Sequence, residues 1–308
     1  MTTRKAEVAE VPAPDQRRTA AVRVIGGAVC TSVSAGFAKL SGASAGTVAL
    51  LRCAIALVVL VPLATREWRR VGPRPWRLVR WDLIAGLLLG IDYVFWVASI
   101  YDVGASMATM LINIQVVVFP ALSRVFLGVP LSGRFVATVP VLLAGVVMAS
   151  GTVGLAEPGT DPVGGMVFGT IAGVAYGGYL FFMRLGGGER HTVFPVCAST
   201  ATAGLAALVF GGLWTGINLS LGLPAWLWLT ALALIGQVVA WLLIAGALPR
   251  LAPHVSATLL LLHPVLAIAF GVVALHERPT FTQIVGCLLV IGGVWFASRA
   301  PRLDPRSS

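Results

Sequence analysis

The chain has 308 residues, of which 57% are hydrophobic and only 11% carry a charge. A soluble domain of this length needs a larger polar surface, so the composition excludes an ordinary soluble protein. The formal net charge of +10 does not indicate nucleic-acid binding, because the basic residues lie in short segments beside long apolar runs, as in membrane proteins.

Apolar runs of about 20 residues, the length that crosses a bilayer core, follow one another along the chain. With Gly, Pro and charged residues as breaks, they predict ten helices at residues 21–40, 45–64, 82–101, 105–127, 133–151, 163–184, 192–214, 225–247, 253–275 and 280–298. Residues 1–20 are predicted to form a disordered N-terminal tail and residues 299–308 a C-terminal tail. No apolar segment with a cleavage site indicates a signal peptide.

The distribution of basic residues predicts the orientation of the chain. With the N-terminus inside, every Lys and Arg except Lys39, Arg52 and Arg278 falls on the inner side. This bias predicts a multi-pass protein of the plasma membrane with both termini in the cytoplasm. It also supports an even number of helices.

Two windows of the sequence align without gaps, residues 105–148 and residues 253–296. The alignment matches Leu127 with Leu275 and Gly145 with Gly293. It predicts two five-helix repeats, at 21–151 and 163–298. Because each repeat has an odd number of helices, the two insert with opposite orientations, which is a common plan for secondary transporters. The predicted fold class is therefore all-α integral membrane, with ten transmembrane helices as two inverted five-helix repeats.

Three segments of the chain carry a family resemblance. They are the run from Phe37 to Leu63, the run GASMATMLINIQVVVFPAL in the fourth helix, and the run from Leu251 to Thr280. Over roughly residues 20–300 the chain resembles the drug/metabolite transporter superfamily, EamA type. Pro264 and Glu277 fit the pattern of the family's second repeat, whereas Val129 stands where members often carry a Glu in the first repeat.

The resemblance implies alternating-access movement of small molecules, often export of amino acids or related metabolites. For the fold, the resemblance implies a permease of ten helices arranged as two five-helix repeats. The expected partners are a small-molecule substrate and the lipid bilayer, with no nucleic acid, and the proton is a candidate coupling ion. The sequence leaves the substrate, the oligomeric state and the coupling open.

Polar side chains are predicted at one depth in four helices. Asp92 is the only charged residue between Asp82 and Asp102, and a charge at the centre of a membrane helix costs about 2.5–3.5 kcal/mol on insertion scales. The predicted substrate-binding or proton-coupling residues are Asp92, His263, Asn113, Gln115 and Gln237. An Asp–His pair would load and release a proton. The alternative for Asp92 is a structural hydrogen bond between helices, and that for His263 is a hydrogen-bonded core histidine. Of Asn113 and Gln115, one would line the cavity while the other packs.

Two prolines and a set of aromatic residues accompany this polar layer. Pro264 follows His263 and leaves the carbonyl of Leu260 without its helical partner, so it is predicted to kink the ninth helix, as Pro120 would kink the fourth. The predicted cavity aromatics are Tyr93, Trp96, Tyr176, Tyr179 and Trp241. Acids, amides and rings together suit an amphipathic organic substrate with an amine. Ordinary packing of these rings is the alternative.

Basic residues are also predicted at the outer ends of the first two helices. Lys39 and Arg52 are placed at an outer mouth, where they would receive a substrate carboxylate or extend to lipid headgroups. Glu277 and Arg278, at the outer turn between the last two helices, are expected to cap a helix, with a gate as the alternative.

The competing functions are an intramembrane enzyme and a channel. The motif HExxH is absent from the sequence, as is a Walker A pattern. Rings of like charge, from which selectivity filters are built, are missing too. Cys30, Cys53, Cys197 and Cys287 stand singly in apolar runs, so no metal or disulfide framework is expected. We therefore expect a transporter, not an enzyme, without a cofactor or a metal.

Overall fold

The computed structural model describes residues 14–131, 133–152, 161–187, 190–247 and 262–298, and within them all regular structure is helical. We number the helical stretches α1 to α10. They are α1 (Pro14–Ser32, continued as Ser34–Ser41), α2 (Ala45–Val71), α3 (Trp76–Val103), α4 (Ala105–Leu127), α5 (Gly133–Ala149), α6 (Pro162–Leu185), α7 (Val193–Trp214), α8 (Leu223–Ala231 through Leu232–Val239 to Ala240–Ala247), α9 (Leu262–Ala274) and α10 (Phe281–Ser298).

Seven of these stretches are long and apolar enough to cross a membrane, namely α1 to α4 and α6 to α8. The apolar parts of α5, α9 and α10 are shorter, at 10–17 described residues. Large apolar side chains cover much of the surface; Val58 is 74% exposed and Leu213 is 86% exposed. An all-helical chain with such a surface suits lipid as its solvent.

Several helix boundaries differ from those predicted by hydropathy. The first helix begins at Pro14, so the end of the predicted disordered tail is helical. The second continues to Val71, where Gly72 ends it with φ of 91°, and the third begins at Trp76. Hydropathy marks the apolar part of a helix, whereas hydrogen bonding continues into polar flanks. The remaining predicted tail residues 1–13 and 299–308, and residues 253–261 with Leu260, lie outside the described residues.

Three helices change their winding part-way along. Residues Ile112–Ile114 of α4 form a 3₁₀ turn. Residues Ala207–Gly211 of α7 and Leu232–Val239 of α8 are π-helical. Such stretches inside α-helices are often found at functional sites or hinges. Two of the three stretches contain predicted site residues: the one in α4 contains Asn113, and the one in α8 contains Gln237.

The turns between helices gather at two ends of the bundle. At one end, which we call the Glu277 end, the Ser44 hydroxyl donates to the Gly216 carbonyl at 2.7 Å. At the other, which we call the Arg74 end, Arg74 Nε donates to Asp82 Oδ2 at 2.7 Å. The turns that the structure describes alternate between the two ends, as expected when consecutive helices are antiparallel; the segment between α8 and α9 lies outside the described residues.

Helix α3 lies at the centre of the packing because small residues let its neighbours approach closely. A Cβ on Gly90 would stand 2.6 Å from the Ala206 Cβ on α7. On α6, a Cβ on Gly173 would stand 2.9 Å from the Ile112 carbonyl oxygen in the 3₁₀ turn of α4. Close backbone contact at small residues is the usual way in which helices associate in lipid.

Candidate functional site

Helix α3 carries the central acid of the candidate site. Asp92 is only 3% exposed, and its Oδ1 has no hydrogen-bond partner among the described residues. Trp96, one helical turn further along, is also buried, and its Nε1 likewise has no partner. A buried polar atom without a partner costs free energy. The site therefore offers an unused acceptor and an unused donor one turn apart.

Arg52 of α2 contacts the same region of α3. Its guanidinium carbon lies 4.0 Å from the centre of the Tyr93 ring and 5.6 Å from that of Trp96. Its Nε donates to Gln237 Oε1 on α8 at 3.0 Å, and its Nη2 donates to the Gly236 carbonyl at 3.4 Å. Cation–π contact with two rings stabilises a charge that is removed from water.

Gln237 connects the polar groups of the two halves of the chain. Its Oε1 also accepts the Tyr93 hydroxyl proton at 2.5 Å, and its Nε2 donates to Thr200 Oγ1 on α7 at 3.3 Å. Gln237 is 1% exposed and Thr200 is fully buried. Sequence reasoning missed Thr200, since a single Thr in an apolar run gives no signal.

The five predicted cavity aromatics lie in one cluster. Tyr176 and Tyr179 stack with their ring centres 5.7 Å apart, and Tyr179 meets Trp241 edge-on at 5.8 Å. Tyr93 and Trp96 belong to the same buried core cluster as these three. Asp92 interacts electrostatically with both Arg52 and Tyr176. The buried acid and the five aromatic residues therefore belong to one region of the core, in which Tyr93, Tyr176 and Tyr179 interact electrostatically with Asp92.

The structure does not bring His263 to Asp92. The described residues hold two ion pairs, Lys39–Glu277 and Arg74–Asp82, so the expected Asp92–His263 pair is not formed. His263 lies on α9, and its carbonyl accepts a hydrogen bond from the Ser32 hydroxyl of α1 at 3.0 Å. Equal depth in the bundle does not make two residues neighbours when their helices pack on different partners.

The two amides of α4 lie in and beside its 3₁₀ turn. Asn113 Nδ2 donates to the carbonyls of Thr109 and Met110 in its own helix, both at 3.2 Å. The Oε1 of Gln115 is buried, and none of the described residues forms a hydrogen bond with it. Pro120 lies inside the same helix, and Pro264 is buried in α9. The kinks predicted at both prolines stay predictions.

The prediction that Arg52 lies at an outer mouth with Lys39 is wrong. With 5% of its surface exposed and its guanidinium on Tyr93, Arg52 belongs to the buried cluster. The physical reason is that the acceptor Gln237 and two aromatic faces lie beside it, which hydropathy of its own helix does not reveal. Lys39 instead forms an ion pair with Glu277 at 2.7 Å.

Glu277 caps the first turn of α4, which confirms the capping interpretation. Its Oε1 accepts from the Ala105 N–H at 2.7 Å, and its Oε2 accepts from the Ser106 N–H at 3.1 Å and the Ser106 hydroxyl at 2.6 Å. A carboxylate at a helix N-terminus satisfies otherwise unpaired N–H groups.

A cavity of about 320 Å³ opens beside this cap at the Glu277 end. Its lining includes Lys39, Glu277, Asp102 and Ile100. Ile100 stands one helical turn from Trp96 and two from Asp92 on the same face of α3. The cavity lining therefore includes a residue one helical turn from Trp96.

In the described part of the chain, no group of three or more His, Cys, Asp and Glu side chains converges that could hold a metal ion. The four cysteines are free. The arrangement around Asp92 instead combines a buried acid, a buried guanidinium and aromatic walls. Such groups are typical of sites that bind polar organic molecules.

Comparisons with known proteins agree with this architecture. An uncharacterized transporter of Archaeoglobus fulgidus is 23% identical over 263 residues, which are 85% of this chain and 90% of that protein. A solved structure, described only as "Crystal structure of protein", aligns with a TM-score of 0.60 and 22% identity over 91% of this chain and 96% of its own, and shows a shared fold. The profile of the EamA-like transporter family matches residues 18–151 and 163–299. The resemblance seen in the sequence is thereby confirmed, and the chain belongs to the EamA-like transporter family.

Proposed function

We propose that this protein is a secondary transporter that moves small organic metabolites across the plasma membrane by alternating access. The substrates would be amino acids or related amphipathic compounds, moved in the direction of export. The site of alternating access would be the cluster around Asp92. The observation that carries the proposal is the buried, unpartnered Oδ1 of Asp92, surrounded by groups from both halves of a membrane transporter.

The site draws on both halves of the chain, as a substrate site between repeats requires. Arg52, Asp92 and Tyr93 precede residue 151, whereas Thr200 and Gln237 follow residue 163. The hydrogen bonds from Arg52 and Tyr93 to Gln237 connect the halves directly. A relative movement of the halves would therefore open or close the space around Asp92.

Ten membrane-crossing helices in two inverted repeats form part of the proposal. The family profile matches twice, once in each half. The corresponding helices α2 and α7 also cap each other at opposite ends of the bundle. Thr215 Oγ1 accepts from the Gly46 N–H at the start of α2 at 2.8 Å. Glu67 accepts from the Val193 N–H at the start of α7 at 3.0 Å. Such reciprocal capping suits an inverted arrangement.

We place the Arg74 end in the cytoplasm together with both termini. The segments at this end carry most of the basic residues, including six Arg between Thr65 and Asp82. A positive bias of this kind on short loops sets orientation in membranes. The cavity at the Glu277 end would then open to the outside.

A liposome assay tests the proposal. Purified protein is reconstituted, and labelled amino acids and amines are screened for uptake with and without a pH gradient, in wild type and Asp92→Asn. Uptake that responds to the gradient and is lost in the variant supports Asp92 as a substrate or coupling site. Gradient-independent uptake that survives the mutation would leave a facilitator and remove Asp92 from the mechanism. Folded wild-type protein that moves no compound contradicts the transporter itself.

A further inference from the structure

Two hydrogen-bond donors converge on one oxygen atom in the centre of the bundle. Arg52 Nε–H lies 3.0 Å from Gln237 Oε1, and the Tyr93 hydroxyl lies 2.5 Å from the same oxygen. The orientation of the amide follows from these contacts, because an amide nitrogen facing two donors would repel them. A neutral oxygen therefore occupies a position whose donors suit a negatively charged one.

The charge of Arg52 has no contacting counter-ion among the described residues. Neither of the two ion pairs includes Arg52, and Asp92 interacts with it only through space. A guanidinium that is 5% exposed and neutralised by no carboxylate is costly in a membrane protein. A ligand that brings the negative counter-charge would explain why a buried guanidinium is present at this position.

We propose that Arg52 and Tyr93 form the carboxylate-binding part of the substrate site, and that Gln237 Oε1 occupies that place in the empty protein. A carboxylate oxygen accepts charge-assisted hydrogen bonds that are stronger than those to a neutral amide oxygen. It would take the Arg52 Nε–H and the Tyr93 hydroxyl, and release Gln237. Arg52 would thereby be the residue that selects substrates bearing an acid. This inference rests on the proposed function.

The structure around Gln237 would allow its side-chain oxygen to move away from Arg52 and Tyr93. Gln237 lies in the π-helical stretch Leu232–Val239, in which the backbone hydrogen bonds span one residue more than those of an α-helix. Its Nε2 already donates to Thr200 Oγ1, at 3.3 Å. Displacement of its Oε1 by a ligand would break two hydrogen bonds and leave this third one to hold the side chain on α7.

The test is equilibrium binding in detergent, which does not depend on flux. Common amino acids are each compared with their primary amides, which keep the amine and the shape but remove the negative charge. Binding is followed by the shift in thermal unfolding with ligand concentration. We expect wild type to bind the acid at least about tenfold more tightly than its amide, as the loss of a charged hydrogen bond predicts.

Four variants separate the roles of the residues. Arg52→Gln should remove the preference for the acid, and Arg52→Lys should keep part of it. Tyr93→Phe keeps the ring under the guanidinium and loses only the hydroxyl, so acid binding should weaken by about threefold to tenfold. Gln237→Glu places a permanent carboxylate against Arg52 and should abolish acid binding in a folded protein. Arg66→Gln, on the exposed face of the same helix, is the matched control and should bind as wild type does.

The outcomes distinguish this inference from the proposed function. Equal binding of acids and amides by wild type overturns the carboxylate site. A wild-type protein that binds no acid at all overturns it too. So does unchanged acid preference in Arg52→Gln or Gln237→Glu. Selective binding of acids without any liposome flux would support the site and contradict transport. Flux of amides at the same rate as acids would support transport and contradict the site.

Discussion

Lys39 Nζ lies 2.7 Å from Glu277 Oε1, and this ion pair joins α1 to the turn between α9 and α10. The same carboxylate caps α4 through Ala105 and Ser106. Helices from both halves of the chain are thus held together by one side chain beside the cavity. Glu277 therefore fixes the Glu277 end of the bundle in the arrangement of this structure.

Replacing Glu277 by Gln should destabilise the protein. The amide retains the size of the side chain but loses the charge that favours the α4 N-terminus and Lys39. We expect a loss of about 1–2 kcal/mol in the free energy of unfolding. Thermal unfolding in detergent measures it. Lys39→Met should cost less than about 1 kcal/mol, because Lys39 is half-exposed. A Glu277→Gln variant as stable as wild type would contradict the capping role.

The stability that Glu277 contributes should depend on pH. Burial alone would raise the pKa of Glu277, but hydrogen bonds from Lys39, Ser106 and Ala105 and the charge of Lys39 hold this pKa below its ordinary value of 4.5. A lowered pKa in the folded state means that the stabilisation is present above the unfolded pKa of about 4.3 and is lost as the pH falls through the folded value.

The corresponding measurement compares thermal unfolding of wild type and Glu277→Gln from neutral pH down to pH 3. The difference in midpoint between the two proteins should shrink as the pH falls below about 4.5. A difference that stays constant over this range would show that the charge of Glu277 contributes nothing to stability.

The Arg74–Asp82 pair should be more sensitive than the Lys39–Glu277 pair, because it is fully buried. Arg74 Nη2 donates to Asp82 Oδ1 at 3.1 Å and also to the Gly186 carbonyl. Asp82→Asn leaves a buried guanidinium without its counter-ion and should cost about 3–5 kcal/mol. The double variant Arg74→Met, Asp82→Leu should recover part of this loss. Thermal unfolding of the three proteins tests the pair, and a double variant less stable than Asp82→Asn would contradict the argument.

Gly90 is predicted to be indispensable to the packing of α3 on α7. A Cβ there would lie 2.5 Å from the Ala203 carbonyl oxygen and 3.0 Å from the Ala203 Cα, and backbone atoms cannot move aside as a side chain does. Gly90→Ala should therefore destabilise the protein by about 1–3 kcal/mol. Gly292→Ala is the matched control, since nothing lies within 4 Å of its Cβ position. It should be neutral or stabilising, because Ala favours a helix over Gly by up to about 1 kcal/mol.

The amino-acid sequence by itself determined the class of the protein and pointed to Asp92 and the aromatic residues near it. Hydropathy is a local property, so apolar runs located the helical stretches and missed only their polar ends, as at Pro14 and Val71. A carboxylate in the middle of such a run is costly wherever the helix packs, and this made Asp92 visible. The aromatic residues followed because they lie within a few turns of Asp92 or at a similar depth.

Tertiary structure alone decided which polar groups meet. Arg52 and Gln237 are 185 residues apart in the chain, and Lys39 and Glu277 are 238 apart. Periodicity within one helix carries no information about which other helix it contacts, so Arg52 was expected at the mouth and His263 beside Asp92. Only the packing of α2 against α3 and α8 shows that Arg52 lies in the core beside Tyr93 and Gln237, and that Asp92 Oδ1 has no hydrogen-bond partner among the described residues.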